Sequence, residues 1–382
     1  MKNKTKYRLF AACAPGIEQI LFQELNNIGI EGKVTHGGVE FSGDLLTIYS
    51  TNLWLRTASR VLARIASFPL ASLEEAKGRF SRYPWEIYMG SSDYVRVRAS
   101  CHKSKIYHSG AIAQRLVEAI SERLGKEVRL VKESSGKKAP LIFVRIVKDF
   151  CVLSIDTSGE HLHKRGFKKF SVKAPLRENL GAAMLIASKY DGSKPLVDPF
   201  CGSGTIVLEA AMISARIPPG RGRRFAFMGW RTFDKALWNE VLRRSEAFFR
   251  RPPQPILGFD RDEAAIQACI ANAEAGGLLD LVNFSVKDVT KLWPPSDVGP
   301  GIIVTNPPYG RRLKENNSLL AFYAEFGQLF RERFRGWDLT LILPSEAPML
   351  KRSLGLRLHR LGAFSNGGLP VELLSTVKGK QV

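Results

Sequence analysis

The sequence predicts an α/β protein whose carboxyl-terminal half is a doubly wound, mostly parallel sheet preceded by smaller α+β units. Three observations carry this. From Ala174 onward, apolar strand-like runs alternate with helical periodicity, the pattern of βα repeats. Residues 194–198 end in a carboxylate and lead through Gly202-Ser203-Gly204 into a helical stretch at 206–215, the strand–loop–helix of a nucleotide-cofactor site. The run Gly301-Ile302-Ile303-Val304-Thr305 is apolar throughout, as a strand covered on both faces must be, and Pro307-Pro308 stop it.

In chain order, residues 7–13 read as a strand, and Pro15 stands at the first turn of a helix. That helix carries Ile17, Ile20, Leu21, Leu25 and Ile28 as its apolar stripe and ends at Gly29. Strand-like pieces at 33–36 and 38–42, a helical stretch near 44–52, and a strand-like run from Trp54 through about 68 complete a ferredoxin-like sandwich over residues 1–68. A second α+β unit spans 69–158. In it Tyr94–Ala99 alternates, with Val95, Val97 and Ala99 on one face and Arg96 and Arg98 on the other. A helix at 110–124 stops at Gly125, and 141–147 and 151–157 form two strands joined by Lys148-Asp149. Residues 159–175 make a basic linker, and 176–382 hold the parallel sheet. Its elements are a helix at 176–190, strands ending at Asp198, Asp260, Val286 and Thr305, a fifth at 339–345, and a terminal hairpin turning near Gly367-Gly368. That makes about seven strands.

With 45% hydrophobic residues the chain can bury substantial cores, and its net charge of +21 calls for a polyanionic partner. The excess is spread: residues 1–158, 159–175 and 176–382 carry 24, 5 and 28 Lys plus Arg against 15, 1 and 20 Asp plus Glu. A long nucleic-acid footprint fits this better than a membrane anchor. No stretch approaches 18 consecutive apolar residues, and the six at 9–14 are too few for a signal-peptide core. Cysteines 13, 101, 151, 201 and 269 form no CxxC, which fits reduced thiols in a cytosolic protein and neither disulfides nor zinc. His161 and His163 share a strand face but lack a third ligand at metal spacing, so no metal is expected.

The chemistry concentrates at strand ends. Asn306-Pro307-Pro308-Tyr309 lies just past the carboxyl end of a buried strand, where open parallel sheets bind ligands. The Asn306 amide oxygen and the Pro307 carbonyl can accept the two hydrogens of an exocyclic amine while Tyr309 stacks on its ring. Residues 198–205, Asp-Pro-Phe-Cys-Gly-Ser-Gly-Thr, fit neither GxGxxG, since Val207 replaces the third glycine, nor a Walker loop, since no lysine follows Gly204. Asp198 would repel a phosphate but attract the α-ammonium of S-adenosylmethionine, whose carboxylate suits the helix start. Asp260 ends the next strand, where an acid binds ribose hydroxyls. It comes 58 residues after Gly202 because residues 216–254 intervene, rich in arginine and aromatics suited to stacking on RNA or to ordinary packing.

These motifs bring a resemblance with them. The 69–158 pattern followed by Ser158-Gly159-Glu160-His161-Leu162-His163-Lys164-Arg165-Gly166-Phe167 resembles the RNA-binding THUMP domain and its exit. Residues 198–205 resemble the first motif of class I amino-methyltransferases, and the likeness extends over essentially the whole chain. It implies a THUMP module ahead of a Rossmann-like methyltransferase domain that uses S-adenosylmethionine. Cofactor contacts then fall on Asp198, Phe200, Cys201, Gly202, Ser203, Gly204, Thr205 and Asp260, with Asp288 accepting from the adenine amine. Asn306, Pro307, Pro308 and Tyr309 carry catalysis, and Arg96, Arg98, Lys164, Arg165, Lys168 and Lys169 face RNA. Asn-Pro-Pro-Tyr serves both adenine-N6 and guanine-N2 enzymes. The THUMP-like front and Leu162–Gly166 are similar to bacterial 23S ribosomal RNA guanine-N2 methyltransferases, here in a form with one methyltransferase domain. Transfer-RNA guanine methylation, adenine-N6 methylation and a non-catalytic RNA-binding role stand as alternatives.

Overall fold

The computed structural model describes residues 5–132, 135–168, 170, 176–309 and 317–377. The amino-terminal half is built on one sheet of eight strands: β1 (Tyr7–Ala12), β2 (Gly32–Thr35), β3 (Gly38–Gly43), β4 (Arg60–Pro69), β5 (Tyr94–His102), β6 (Arg129–Leu130), β7 (Leu141–Val147) and β8 (Phe150–Asp156). Their order is β2-β3-β1-β4-β8-β7-β5-β6, so the division expected near residue 68 falls inside a continuous sheet. Strand β4 makes the join, pairing β1 along one edge and β8 along the other.

Helices α1 (Glu18–Asn27), α2 (Leu45–Trp54), α3 (Leu73–Phe80), α4 (Trp85–Met89) and α5 (Ser109–Leu124) accompany this sheet. Asp44 starts α2 through a capping box with Thr47, and Gly125, at φ 62°, closes α5. Two expectations are corrected. Pro15 precedes α1 instead of opening it, because Gly16 sits at φ 95° in a turn pressed so closely on Ala363 that a Cβ would strike its carbonyl oxygen. Trp54 ends a helix and does not begin a strand. The segment after it is held as a connection by the buried Glu24 carboxylate, which accepts from the Arg56 and Thr57 amides at 2.6 and 3.1 Å.

The carboxyl-terminal half contains β9 (Leu196–Asp198), β10 (Ile256–Asp260), β11 (Asn283–Val286), β12 (Ile302–Thr305), β13 (Asp338–Pro344), β14 (His359–Asn366) and β15 (Leu369–Ser375). Its helices are α6 (Glu178–Ala187), α7 (Thr205–Ser214), α8 (Lys235–Glu246), α9 (Glu263–Ala275), α10 (Asn317–Arg333) and α11 (Pro348–Ser353). The sheet order β11-β10-β9-β12-β13-β15-β14 is the doubly wound arrangement expected from the sequence, parallel from β11 to β13 and finished by the antiparallel β14–β15 hairpin. The order reverses between β9 and β12, which places a topological switch point beside Asp198 and Asn306.

Residues 216–254 brace the two halves instead of reaching outward. Phe225, Phe227, Trp230 and Trp238 are buried, and Phe227 stacks on Tyr49 of α2 at 4.6 Å. Arg56 donates to the Met212 and Ile217 carbonyls at 3.3 and 2.7 Å, and Arg223 donates to the carbonyls of Glu160, His161 and Leu162.

Candidate active site

Strands β11, β10, β9 and β12 bring Asp288, Asp260, Asp198 and Asn306 into line along one edge of the sheet. Asp198 is buried, and its Oδ1 accepts from the Thr305 hydroxyl at 2.6 Å and the Phe200 amide at 3.2 Å. Among the described residues no lysine or arginine pairs with it. Desolvation therefore dominates and pushes its carboxyl up to about 7, against the two hydrogen bonds, with Asp260 adding to the rise. A buried carboxyl without a cation is a fitting partner for an ammonium group.

The loop after β9 is held from several sides. The Cys201 amide donates to the Phe259 carbonyl and the Gly202 amide to Asp260 Oδ2, at 2.9 and 3.0 Å. Gly202 and Gly204 adopt φ 54° and 85°, conformations that other residues rarely reach. Asp260 Oδ1 also accepts from the Asp262 amide, so this carboxylate ties the loop after β9 to the turn after β10. The side chains of Cys201, Ser203 and Thr205 are buried in support of this loop: Cys201 lies against Cys269, with sulfurs 3.7 Å apart, and Thr205 donates to the Leu176 carbonyl. Phe200 packs edge-on against Phe322 and Phe326 of α10. Asp288 caps a short 3₁₀ turn through Thr290, whose amide and hydroxyl hold its carboxyl below the usual range.

At the end of β12 the Asn306 Oδ1 is buried and has no hydrogen-bond partner among the described residues. The rest of the tetrapeptide is anchored: the Tyr323 hydroxyl donates to the Pro308 carbonyl at 3.1 Å, and Asn366 Nδ2 donates to the Tyr309 hydroxyl at 2.8 Å. Burial raises the Tyr309 phenol, against the Asn366 contact, which lowers it. Thr305, Tyr323 and Asn366 were not anticipated from the sequence. Only Thr305, adjacent to the motif, left a signal there.

The basic residues divide. Arg98 lies over the Phe143 ring at 5.9 Å, and Arg96 is half-buried and donates to the Ala139 carbonyl at 3.0 and 2.8 Å. Lys164 is exposed. Arg165 is corrected: it is buried at the junction of the two halves, binding Glu209 at 2.8 and 3.2 Å and the carbonyls of Leu162 and Arg56. Lys168 is corrected as well, because its ammonium is spent on Glu178 at 3.1 Å and the Thr205 hydroxyl at 2.9 Å, behind the loop. Lys169 lies outside the described residues. His161 and His163 stack at 5.3 Å, and among the described residues no three His, Cys, Asp or Glu side chains are grouped to hold a metal ion.

A family model for the RMKL-like methyltransferase domain matches residues 165–370. The chain belongs to that family. A model for the RlmL ferredoxin-like domain matches residues 8–62, on strands β1 to β4. Among curated relatives, the ribosomal RNA large subunit methyltransferase K/L of Syntrophotalea carbinolica is 37% identical over 382 residues, covering 96% of this chain and 53% of that protein. Its counterpart from Methylococcus capsulatus is 35% identical over 378 residues, covering 95% of this chain and 50% of that protein. The chain thus spans about half the length of these family members. A crystal structure of a candidate methyltransferase complexed with SAH superposes with a TM-score of 0.85 at 30% identity, covering 99% of this chain and 100% of that one. No described helix is long and apolar enough to cross a membrane.

Proposed function

We propose that this chain is an S-adenosylmethionine-dependent RNA methyltransferase acting on the exocyclic N2 amine of a guanine in large-subunit (23S) ribosomal RNA, in the cytosol. The observation that carries the reading is the buried, unpartnered Asn306 Oδ1 beside a cofactor-type loop. Leaving such an acceptor unsatisfied costs about 1–3 kcal/mol, which an incoming N–H group offsets. The names of the two relatives support ribosomal RNA as the substrate, and the SAH complex of the structural neighbour supports the cofactor.

The chain's own groups suit the task. Asp198 meets the cofactor ammonium, Asp260 the ribose hydroxyls and Asp288 the adenine amine, while the backbone around Gly202 and Gly204 approaches the ligand closely. Bound S-adenosylmethionine supplies an electrophilic methyl group on a sulfonium. Asn306 Oδ1 and the Pro307 carbonyl accept the two amine hydrogens, which draws the nitrogen lone pair out of conjugation with the base. Tyr309, fixed by Asn366, stacks on the base and sets its distance. A target inside a helix must be flipped out to reach this site.

The test supplies the purified chain with radiolabelled S-adenosylmethionine and unmodified ribosomal RNA, transfer RNA and DNA, then identifies the labelled nucleoside. N2-methylguanosine in large-subunit RNA is the expected product. The same nucleoside only in transfer RNA, or N6-methyladenine, would replace the substrate assignment, and no label in any pool would overturn the enzymatic one.

A further inference from the structure

The helices of the amino-terminal half pack on one face of its sheet, and the opposite face carries a row of side chains in register across five strands. Arg8 pairs with Arg64, Arg64 with Ser154, Ser154 with Phe143, and Phe143 with Arg98, from β1 through β4, β8 and β7 to β5. Directly paired residues point to the same side of a sheet, and so do residues two apart on one strand. Phe10 and Arg145 therefore join this face. Arg8, Arg98 and Arg145 are exposed, and Phe10 and Phe143 are half-buried outside the packed core.

This arrangement is poorly explained by stability. Arginines directly opposite in a ladder repel. Burial lowers the Arg64 guanidinium, and Arg8 and Arg145 add to the fall against Glu40, at 2.7 Å. Arg8 and Arg145 have no ion-pair partner among the described residues. Two of the arginines lie over aromatic rings, Arg64 at 4.7 Å from Phe10 and Arg98 at 5.9 Å from Phe143. Cations beside partly exposed rings on an open sheet match a strand of phosphates and unstacked bases.

We infer that this face is a platform for a single-stranded segment of RNA, with Arg8, Arg98 and Arg145 meeting phosphates and Phe10 and Phe143 meeting bases. The inference rests on the reading of the chain as an RNA methyltransferase and gives that enzyme a binding surface apart from Asn306. An acidic protein would satisfy the charges but not the rings.

The test measures fluorescence anisotropy of a labelled single-stranded RNA of about 12 nucleotides, and of a duplex of equal length, against the full chain over a range of ionic strength. The double variant Arg8→Ala/Arg145→Ala should bind the single strand about tenfold more weakly and lower the salt slope by about 1.4, the share of two phosphates. Phe143→Leu, which keeps an apolar side chain, should weaken binding at least about fivefold through lost stacking. Arg243→Ala/Arg244→Ala, removing arginines that pair with Glu240 on α8, should leave binding unchanged. Unaltered affinity and slope in the Arg8/Arg145 variant would overturn the platform, as would equal binding of duplex with Phe143→Leu silent. The two readings separate. If RNA is methylated but the double variant binds normally, only the platform fails. If no RNA is methylated yet the double variant loses binding, only methyl transfer fails.

Discussion

Replacing Asp198 by asparagine should make the cofactor-free protein more stable and the enzyme inactive. The carboxyl stands at about 7 in the fold against an ordinary value of 3.8. A group raised in the folded state contributes stability that is full below the unfolded value and lost as pH rises through the folded one. The ionised form therefore costs on the order of 4 kcal/mol above pH 7. About 1–1.5 kcal/mol of that loss falls between pH 6 and 8. Asparagine has no charge to desolvate and keeps an oxygen for the Thr305 hydroxyl and the Phe200 amide. Thermal unfolding without cofactor should show Asp198→Asn gaining on the wild type as pH rises from 6 to 8. At pH 8 the variant should melt about 5 °C higher. Adding S-adenosylmethionine should raise the midpoint of the wild type, more at pH 8 than at pH 6, and leave the variant where it was. An Asp198→Asn protein that is less stable at pH 8, or one that still gains stability from cofactor, would refute the pairing of this carboxylate with the ammonium.

Other substitutions separate the roles of neighbouring groups. Asn306→Ala should cut turnover at least about a hundredfold, as removal of a preorganised polar contact does elsewhere, while single-turnover binding of RNA and cofactor is unchanged. Asp260→Ala should raise the dissociation constant for S-adenosylmethionine at least about tenfold by calorimetry, since it frees the Gly202 amide as well as removing the ribose partner. Arg165→Ala should destabilise the fold by about 3–5 kcal/mol in denaturant, because it strands Glu209 without a full partner, yet leave the salt dependence of RNA binding unaltered. Tyr309→Phe keeps the ring and loses only the Asn366 contact, so kcat/KM should fall by less than about tenfold, whereas Tyr309→Ala should fall well beyond that.

The parts of the site readable in advance were those whose function is local. Asp198, Asp260 and Asn306 each end a strand, so hydrophobic pattern and position together placed them on one edge before any contact was known. Contacts set by distant partners were not readable. Arg165 and Lys168 look like any other members of a basic run, and their partners Glu209 and Glu178 are fixed only when α6 and α7 pack. The arginines of 216–254 posed the same problem, since Arg223 satisfies backbone carbonyls around residue 161 in place of phosphates. Strand pairing was opaque for another reason. Nothing in the alternation of β4 says that both of its edges are used, and the single eight-stranded sheet follows from that alone. The arginine row depends on it too, because Arg8 and Arg145 are far apart in sequence and meet only through β4 and β8.

The brace formed by residues 216–254 has a geometric consequence. With Phe227 stacked on Tyr49 and Arg56 tied to the end of α7, the open sheet face and Asn306 are fixed at a set separation, like the jaws of a caliper. Under the proposed reading a target is chosen by span: a nucleotide is reached only if its RNA places a flexible strand and an extrudable base that far apart. On that reading, shortening or lengthening the brace should reset the gauge and shift methylation to another position in the same RNA, with the groups around Asn306 untouched.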